Sequence, residues 1–321
     1  MRICVIGKPF SNAGHGAECG IVDALVELGH LVWVVDYAAN KMCGPYQGQL
    51  WTDIDLSRID EIDFVLAVGP GIPPGQTEMP EVISFLTNHF SVCWNSEPIK
   101  LEQYKSRILS QAHLFDVWAT FDEGEVPEYS DNSLQSFFLP QAYNPKWYHP
   151  FENARPEKFA CFVGSVGGKW QNRVHFLNRA RRILGDHLTV QQTFNAEVVN
   201  SIYNQHCVVL NLGLHFEQLG APTRLTSFAF QQRIFEAIGA GAVPMTNIPA
   251  DLKNTPVQWS MFDNGSDIIY YTNDNFEAVI KYYASHPEKI ANIRLNLLGM
   301  RHMHTYKARM QTLIENVQNL M

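Results

Sequence analysis

The 321-residue sequence has no uninterrupted apolar run of about 18 residues, which removes a membrane-spanning helix from consideration. Its six cysteines (Cys4, Cys19, Cys43, Cys93, Cys161 and Cys207) include no Cys-x-x-Cys pair and no metal-type spacing, so a zinc ribbon and a dithiol redox motif are excluded. Several sit inside strand-like runs and read as buried thiols. Positive charge is also scarce. With 24 Lys and Arg against 32 Asp and Glu, the net charge of -8 provides no global field toward nucleic acid or anionic lipid, leaving only a local basic patch as a route to either. No internal repeat or low-complexity tract appears. The opening MRICVIGKPF stops at a Gly-Lys-Pro turn instead of a small-residue cleavage site, so the expectation is a soluble, cytoplasmic chain without an anchor.

What is present is enough apolar material, 46% of the chain, for two cores. Short apolar runs (Ile3 to Ile6, Leu31 to Val35, Phe64 to Val68, Ser91 to Trp94, Val117 to Phe121) alternate with amphipathic segments, the pattern of strands and helices around a parallel sheet. The alternation breaks at Leu139 to Lys158, which holds four prolines and no periodicity. A second series follows, with strands at Phe159 to Val163, Leu188 to Gln192, Val208 to Leu212, Ala242 to Met245 and Ile268 to Tyr271. The reading is an α/β chain of two Rossmann-like, doubly wound domains, residues 1–145 and 155–300, facing across a cleft. Residues 301–321 form a C-terminal helix that folds back to the first domain.

Two segments carry chemistry in the second half. The run FVGSVGGKWQNR puts Gly164 and Ser165 after a strand, with Lys169 and Arg173 at the start of a helix. Glycines there let a ligand approach the backbone, and the free N–H groups of a helix start favour a phosphate or diphosphate. An ordinary strand-to-helix turn with solvated basic residues reads equally well. The spacing is neither that of a P-loop nor G-x-G-x-x-G. The run RIFEAIGAGAVPM puts Arg233 and Glu236 three apart on one helical face, with Gly239 and Gly241 after them. Either they are a surface ion pair, or Glu236 accepts hydrogen bonds from a ribose while Arg233 faces phosphate.

In the first half, the glycine-bearing loop Gly7 to Gly16 carries His15 between Gly14 and Gly16. Imidazole titrates near neutral pH, so His15 is a candidate base for an acceptor hydroxyl; capping a helix or touching substrate are its other readings. Asn95-Ser-Glu97 follows a strand directly, and Glu97 has three readings: orienting His15, acting as base, or capping a helix beginning near Ile99. The run Arg179, Arg181, Arg182 reads as a solvated face.

Together, FVGSVGGKW and, some sixty residues later, RIFEAIGAGAVPMTN resemble the donor-nucleotide half of GT-B glycosyltransferases, in particular the CgeB-like, spore-maturation type. LPQAYNPKWYHP and HTYKARMQTLI are similar to that group as well. The resemblance covers most of residues 139–315 and only the general layout before them. It implies a glycosyltransferase using a nucleoside-diphosphate sugar, UDP- or GDP-linked, with no other cofactor and no metal. It implies Gly164, Ser165, Lys169, Arg173, Arg224, Arg233, Glu236 and Gly241 on the donor side; the residue reading of the first half, and not this resemblance, offers His15 and Glu97 as catalytic candidates and Gly14, Gly16 and Asn95 on the acceptor side.

The chain departs from that pattern twice. Phe228 stands where a retaining enzyme has the first glutamate of Glu-x(7)-Glu, and Ser165 stands where many relatives have arginine, a role open to Arg173 or Arg224. Stereochemical course and sugar are left open, and the acceptor is a glycan, a small molecule, a protein or hydroxymethylated DNA, as for the phage-type DNA glycosyltransferases. A nucleotide-sugar-binding protein without turnover, or a nucleotide-sugar epimerase, are the rival readings.

Overall fold

A computed structural model describes residues 1–7, 17–36, 41–43, 62–69, 80–97, 99, 102–167, 171–212, 231–247 and 261–321. By contact density the chain divides into two units: Met1–Pro140 with Tyr306–Met321, and Gln141–Thr305.

The first unit is built on a seven-stranded sheet. In chain order its strands are β1 (Arg2–Gly7), β2 (Leu31–Asp36), β3 (Lys41–Cys43), β4 (Phe64–Val68), β5 (Ser91–Asn95), β6 (Val117–Thr120) and β7 (Ser136–Phe138), arranged 3-2-1-4-5-6-7. All neighbours pair in parallel except β3, an antiparallel edge on β2. The central strands are continuous apolar runs because both faces are covered, and Ile3, Cys4, Val5, Val65 and Leu66 have no solvent exposure. Helices α1 (Ala17–Glu27), α2 (Pro80–Asn88), α3 (Glu102–Ser110) and α4 (Val126–Asp131) belong to this unit. The sequence reading missed β3 and β7. Each is only three residues long, too short for periodicity to register.

The last helix of the chain, α10 (Tyr306–Leu320), also belongs to the first unit, where it packs on α1. Gly20 of α1 is the contact point: a Cβ there would lie 2.3 Å from the Tyr306 ring, so only glycine lets the two helices approach this closely. Arg309, 9% exposed, donates through Nε to the Pro140 carbonyl at 3.1 Å and ties α10 to the end of its own unit.

The second unit holds β8 (Lys158–Val163), β9 (Leu188–Gln191), β10 (His206–Asn211), β11 (Val243–Asn247) and β12 (Ile269–Tyr271), all parallel, in spatial order 9-8-10-11-12. Helices α5 (Gln171–Leu184), α6 (Ala196–Asn204), α7 (Gln232–Ala240), α8 (Phe276–Ser285) and α9 (Pro287–Met300) complete it. Strand order reverses between β8 and β10. In an open α/β sheet that reversal opens a crevice at the carboxyl ends of the two strands, where the chains leave in opposite directions.

The basic run on α5 corrects an expectation. Arg179 is not a solvated charge: its Nε donates to Glu277 at 3.0 Å, and its guanidinium lies over the Phe176 and Phe276 rings at 5.5 and 5.4 Å. Arg181 and Arg182 are exposed, as expected of the run.

Candidate donor site in the second unit

The crevice between β8 and β10 gathers the residues that chemistry singles out. Gly164 follows the last residue of β8 at φ +147°, and a Cβ there would meet Nη2 of Arg233 at 2.6 Å. A side chain at this position would push the guanidinium away, so glycine is required for the approach of Arg233. Arg233 comes from the first turn of α7, over β10. Its Nη1 donates to Oδ1 of Asn211 at 3.2 Å, and its guanidinium lies 5.1 Å from the centroid of Phe162.

Arg173, in the first turn of α5, approaches the same ring, with its guanidinium 5.6 Å from the Phe162 centroid. It is 7% exposed. Its Nη1 donates to the Ser165 carbonyl at 3.0 Å and its Nε to the Leu212 carbonyl at 3.3 Å, bracing the glycine loop after β8 against the end of β10 across the reversal. Burial, and then the neighbouring Arg233, pull the Arg173 guanidinium down to about 10. Two cations on one ring repel each other in a shielded place, and an anion entering the crevice relieves that repulsion.

Glu236 lies one helical turn beyond Arg233. Burial pushes its carboxyl up to about 7, while Arg233 and hydrogen bonds from Tyr148 and Gln232 pull in the other direction. Desolvation therefore outweighs all three partners together. The side chain is enclosed but keeps some solvent access. A carboxylate held this close to neutrality is a common mark of a functional group.

The supporting shell was invisible to spacing arguments. Asn211, 3% exposed, donates from Nδ2 to Thr246 Oγ1 at 2.9 Å, and its carbonyl accepts from the Tyr271 hydroxyl at 3.0 Å. Tyr203 of α6 accepts a hydrogen bond from Arg233. These residues stand on four separate elements, and no sequence period links them. Asn211, at the end of a strand flanking the reversal, is the one that topology alone would have marked.

Among the other expected site residues, Gly241 takes a different place. It is the C-cap of α7 at φ +76°, at the opposite end of the helix from Arg233. In the first unit, Asn95 is fully buried at the end of β5. Its amide donates to the Tyr129 hydroxyl at 2.6 Å and to the Glu97 carbonyl, and its Oδ1 accepts from the Glu97 N–H at 3.0 Å. Glu97 thus stands in a turn shaped by Asn95, ahead of α3, whose first described residue is Glu102. Gly14, His15, Gly16, Lys169, Arg224 and Phe228 lie outside the described residues. A cavity of about 370 Å³ in the first unit, bordered by His89, Ser91, His113 and Asp116, opens at the amino ends of β5 and β6, the edge where such sheets do not bind ligands.

A family model described as glycosyl transferase-like matches residues 151–315, slightly more than half of the sequence, spanning the glycine loop, Arg233 and Glu236. Solved structures resemble the whole chain. An alpha-glucosyltransferase in complex with UDP-glucose and DNA containing an abasic site has a TM-score of 0.66 at 10% identity, covering 99% of both chains. A sucrose-phosphate synthase from Thermosynechococcus elongatus has a TM-score of 0.62 at 12% identity, covering all of both. HepE from Anabaena, in complex with UDP and glucose, has a TM-score of 0.63 at 11% identity, covering 99% of this chain and 100% of that one. At such identities the likeness is one of fold, the two-domain GT-B type. No curated protein matches the sequence.

Proposed function

The chain belongs to the glycosyl transferase-like family, and on that premise we propose that it transfers a hexosyl or pentosyl unit from a UDP- or GDP-linked sugar to a hydroxyl acceptor. The observation that carries this reading is the pair of guanidiniums flanking Phe162 at the β8–β10 reversal, with Glu236 one turn further along the same helix as Arg233. Such a site suits a diphosphate attached to a ribose. Arg233, with Arg173 and Lys169, meets the diphosphate; the backbone N–H of Ser165 adds to it, that of Gly164 being taken by the Gln191 carbonyl at 3.0 Å; Glu236 accepts from the ribose hydroxyls; Arg224 belongs to the same side, while Gly241 closes the far end of α7.

During transfer the bond between the anomeric carbon and the diphosphate oxygen breaks, and charge builds on the departing diphosphate. The two arginines stabilise that charge without requiring a metal or other cofactor. The acceptor hydroxyl gives its proton to His15, with Glu97 as the other candidate, as the new glycosidic bond forms. Gly14, Gly16 and Asn95 shape the acceptor side. Within the family, the order and spacing of the motifs favour the CgeB-like type.

Among acceptors, a glycan, a small molecule or a protein is preferred to hydroxymethylated DNA. One similar structure is a glucosyltransferase bound to DNA, but the net charge of -8 disfavours a duplex. No helix among the described residues is long and apolar enough to cross a membrane, which fits the proposal of a cytoplasmic enzyme. The second reading is a nucleotide-sugar-binding protein without turnover, motivated by Phe228 in place of a glutamate.

The test is a panel of nucleotide sugars incubated with the protein in the absence of acceptor. One donor is expected to raise the melting temperature and to release its nucleoside diphosphate slowly to water. Stabilisation without release would favour the binding protein, and neither effect with any donor would overturn the proposal.

A further inference from the structure

The segment that opens the second unit, residues 143–151, grips helix α7 along its length. Tyr143 covers Gly239 so closely that a Cβ there would lie 2.4 Å from its ring, and Pro150 lies against Gly241. Tyr148 reaches Glu236 with its hydroxyl. The segment is itself pinned. The Tyr143 N–H donates to the His304 carbonyl at 3.1 Å and its hydroxyl to the Arg301 carbonyl at 3.2 Å. The N–H groups of His149 and Phe151 donate to the side chains of Asn200 and Asn204 on α6, at 3.2 and 2.7 Å. Tyr148 sits between these anchors, in a turn where its N–H donates to the Asn144 carbonyl at 3.0 Å.

Resting on the donor-site reading above, we propose that Tyr148 is a positioning residue: it orients the Glu236 carboxylate for the ribose, so that this segment and not the nucleotide-binding sheet tunes the clamp. The geometry is specific to this role. Tyr148 is 5% exposed, its backbone is fixed at both ends, and its hydroxyl can donate to a carboxylate. Among the described residues, the groups facing Glu236 are Arg233 and Gln232 from α7, Tyr148 from the segment and Tyr203 from α6. Of the hydrogen-bonding neighbours among them, Tyr148 is the one that comes from outside α7.

A hydroxyl that donates to the charged form lowers the pH at which the carboxyl ionises, and its removal raises that pH. Tyr148→Phe therefore changes the pH dependence of donor binding and leaves the fully ionised site intact. The probe is UDP-glucose or GDP-glucose, whichever the wild type binds more tightly, because a diphosphate esterified at both ends does not itself titrate near neutrality. Affinity is measured by calorimetry between pH 6 and 9.

For the wild type, affinity falls as pH drops below about 7. For Tyr148→Phe, the midpoint rises by about one unit, giving roughly fivefold weaker binding at pH 7 and near-equal binding at pH 9. Glu236→Gln removes the pH dependence. A uniform loss in Tyr148→Phe at every pH would mark the tyrosine as merely structural and overturn the proposal, as would an unshifted midpoint in a wild type that does bind. A wild type that binds neither sugar nucleotide at any pH would instead overturn the donor-site reading, and this proposal with it.

Discussion

Replacing Glu236 by Gln should make the protein more stable at alkaline pH while weakening its ligand site. The folded carboxyl ionises at about 7, against an ordinary value of 4.5. The folded chain therefore holds this proton over a window in which the unfolded chain has lost it. Stability is unaffected below about pH 4.5, declines as pH rises toward 7, and carries the whole cost above that. Two and a half units correspond to about 3 kcal/mol at pH 8. A neutral isostere avoids that cost and keeps an oxygen to accept from Tyr148. Thermal unfolding of both proteins at pH 5 and pH 8 is the assay. The variant should melt roughly 5 °C higher at pH 8, with the gap nearly closed at pH 5. A gap independent of pH, or a variant less stable at pH 8, would refute the reasoning that desolvation dominates at Glu236.

Other expectations follow from the same geometry. Gly164→Ala places a methyl against Nη2 of Arg233 at a φ of +147°; it should weaken nucleotide binding at least tenfold and lower stability by about 1–3 kcal/mol, measured by calorimetry and denaturant unfolding. Arg173→Lys keeps a charge but loses the forked contact with the Ser165 and Leu212 carbonyls. Diphosphate affinity should fall in that variant, and amide exchange in the loop after β8 should quicken. Gly239→Ala forces the Tyr143 ring off α7 and should destabilise the protein by about 1–3 kcal/mol, seen as a lower denaturant midpoint.

Much of the fold was legible because buried parallel strands are continuous apolar runs. Phe64–Val68 stands as expected, and β8, β10 and β11 differ only at their ends. The β3 and β7 edges carry too few residues to show a period. At the candidate site, Gly164, Ser165, Arg173, Arg233 and Glu236 could be named from two short runs, because glycines beside cations are locally unusual. Their arrangement could not be foreseen. Arg173 was expected to face a diphosphate, yet two of its donors brace main-chain carbonyls on either side of the strand reversal. Phe162 looked like any strand aromatic until both guanidiniums were found over it. Asn211, Tyr203 and Tyr148 come from three distant segments that only the tertiary fold brings to α7. His15, Lys169 and Arg224 lie outside the described residues, so their assignment still rests on sequence.

Binding of a nucleoside diphosphate in the β8–β10 crevice of the second unit, through α7, is the proposal on which the others depend. Calorimetric titration of UDP and GDP at pH 8 into the wild type and Glu236→Gln tests it most directly. The wild type is expected to bind one of the two nucleotides, and the variant to bind it at least tenfold more weakly, the loss of a charge-assisted hydrogen bond of about 1.5–3 kcal/mol. Equal affinities, or no binding by the wild type, would contradict it.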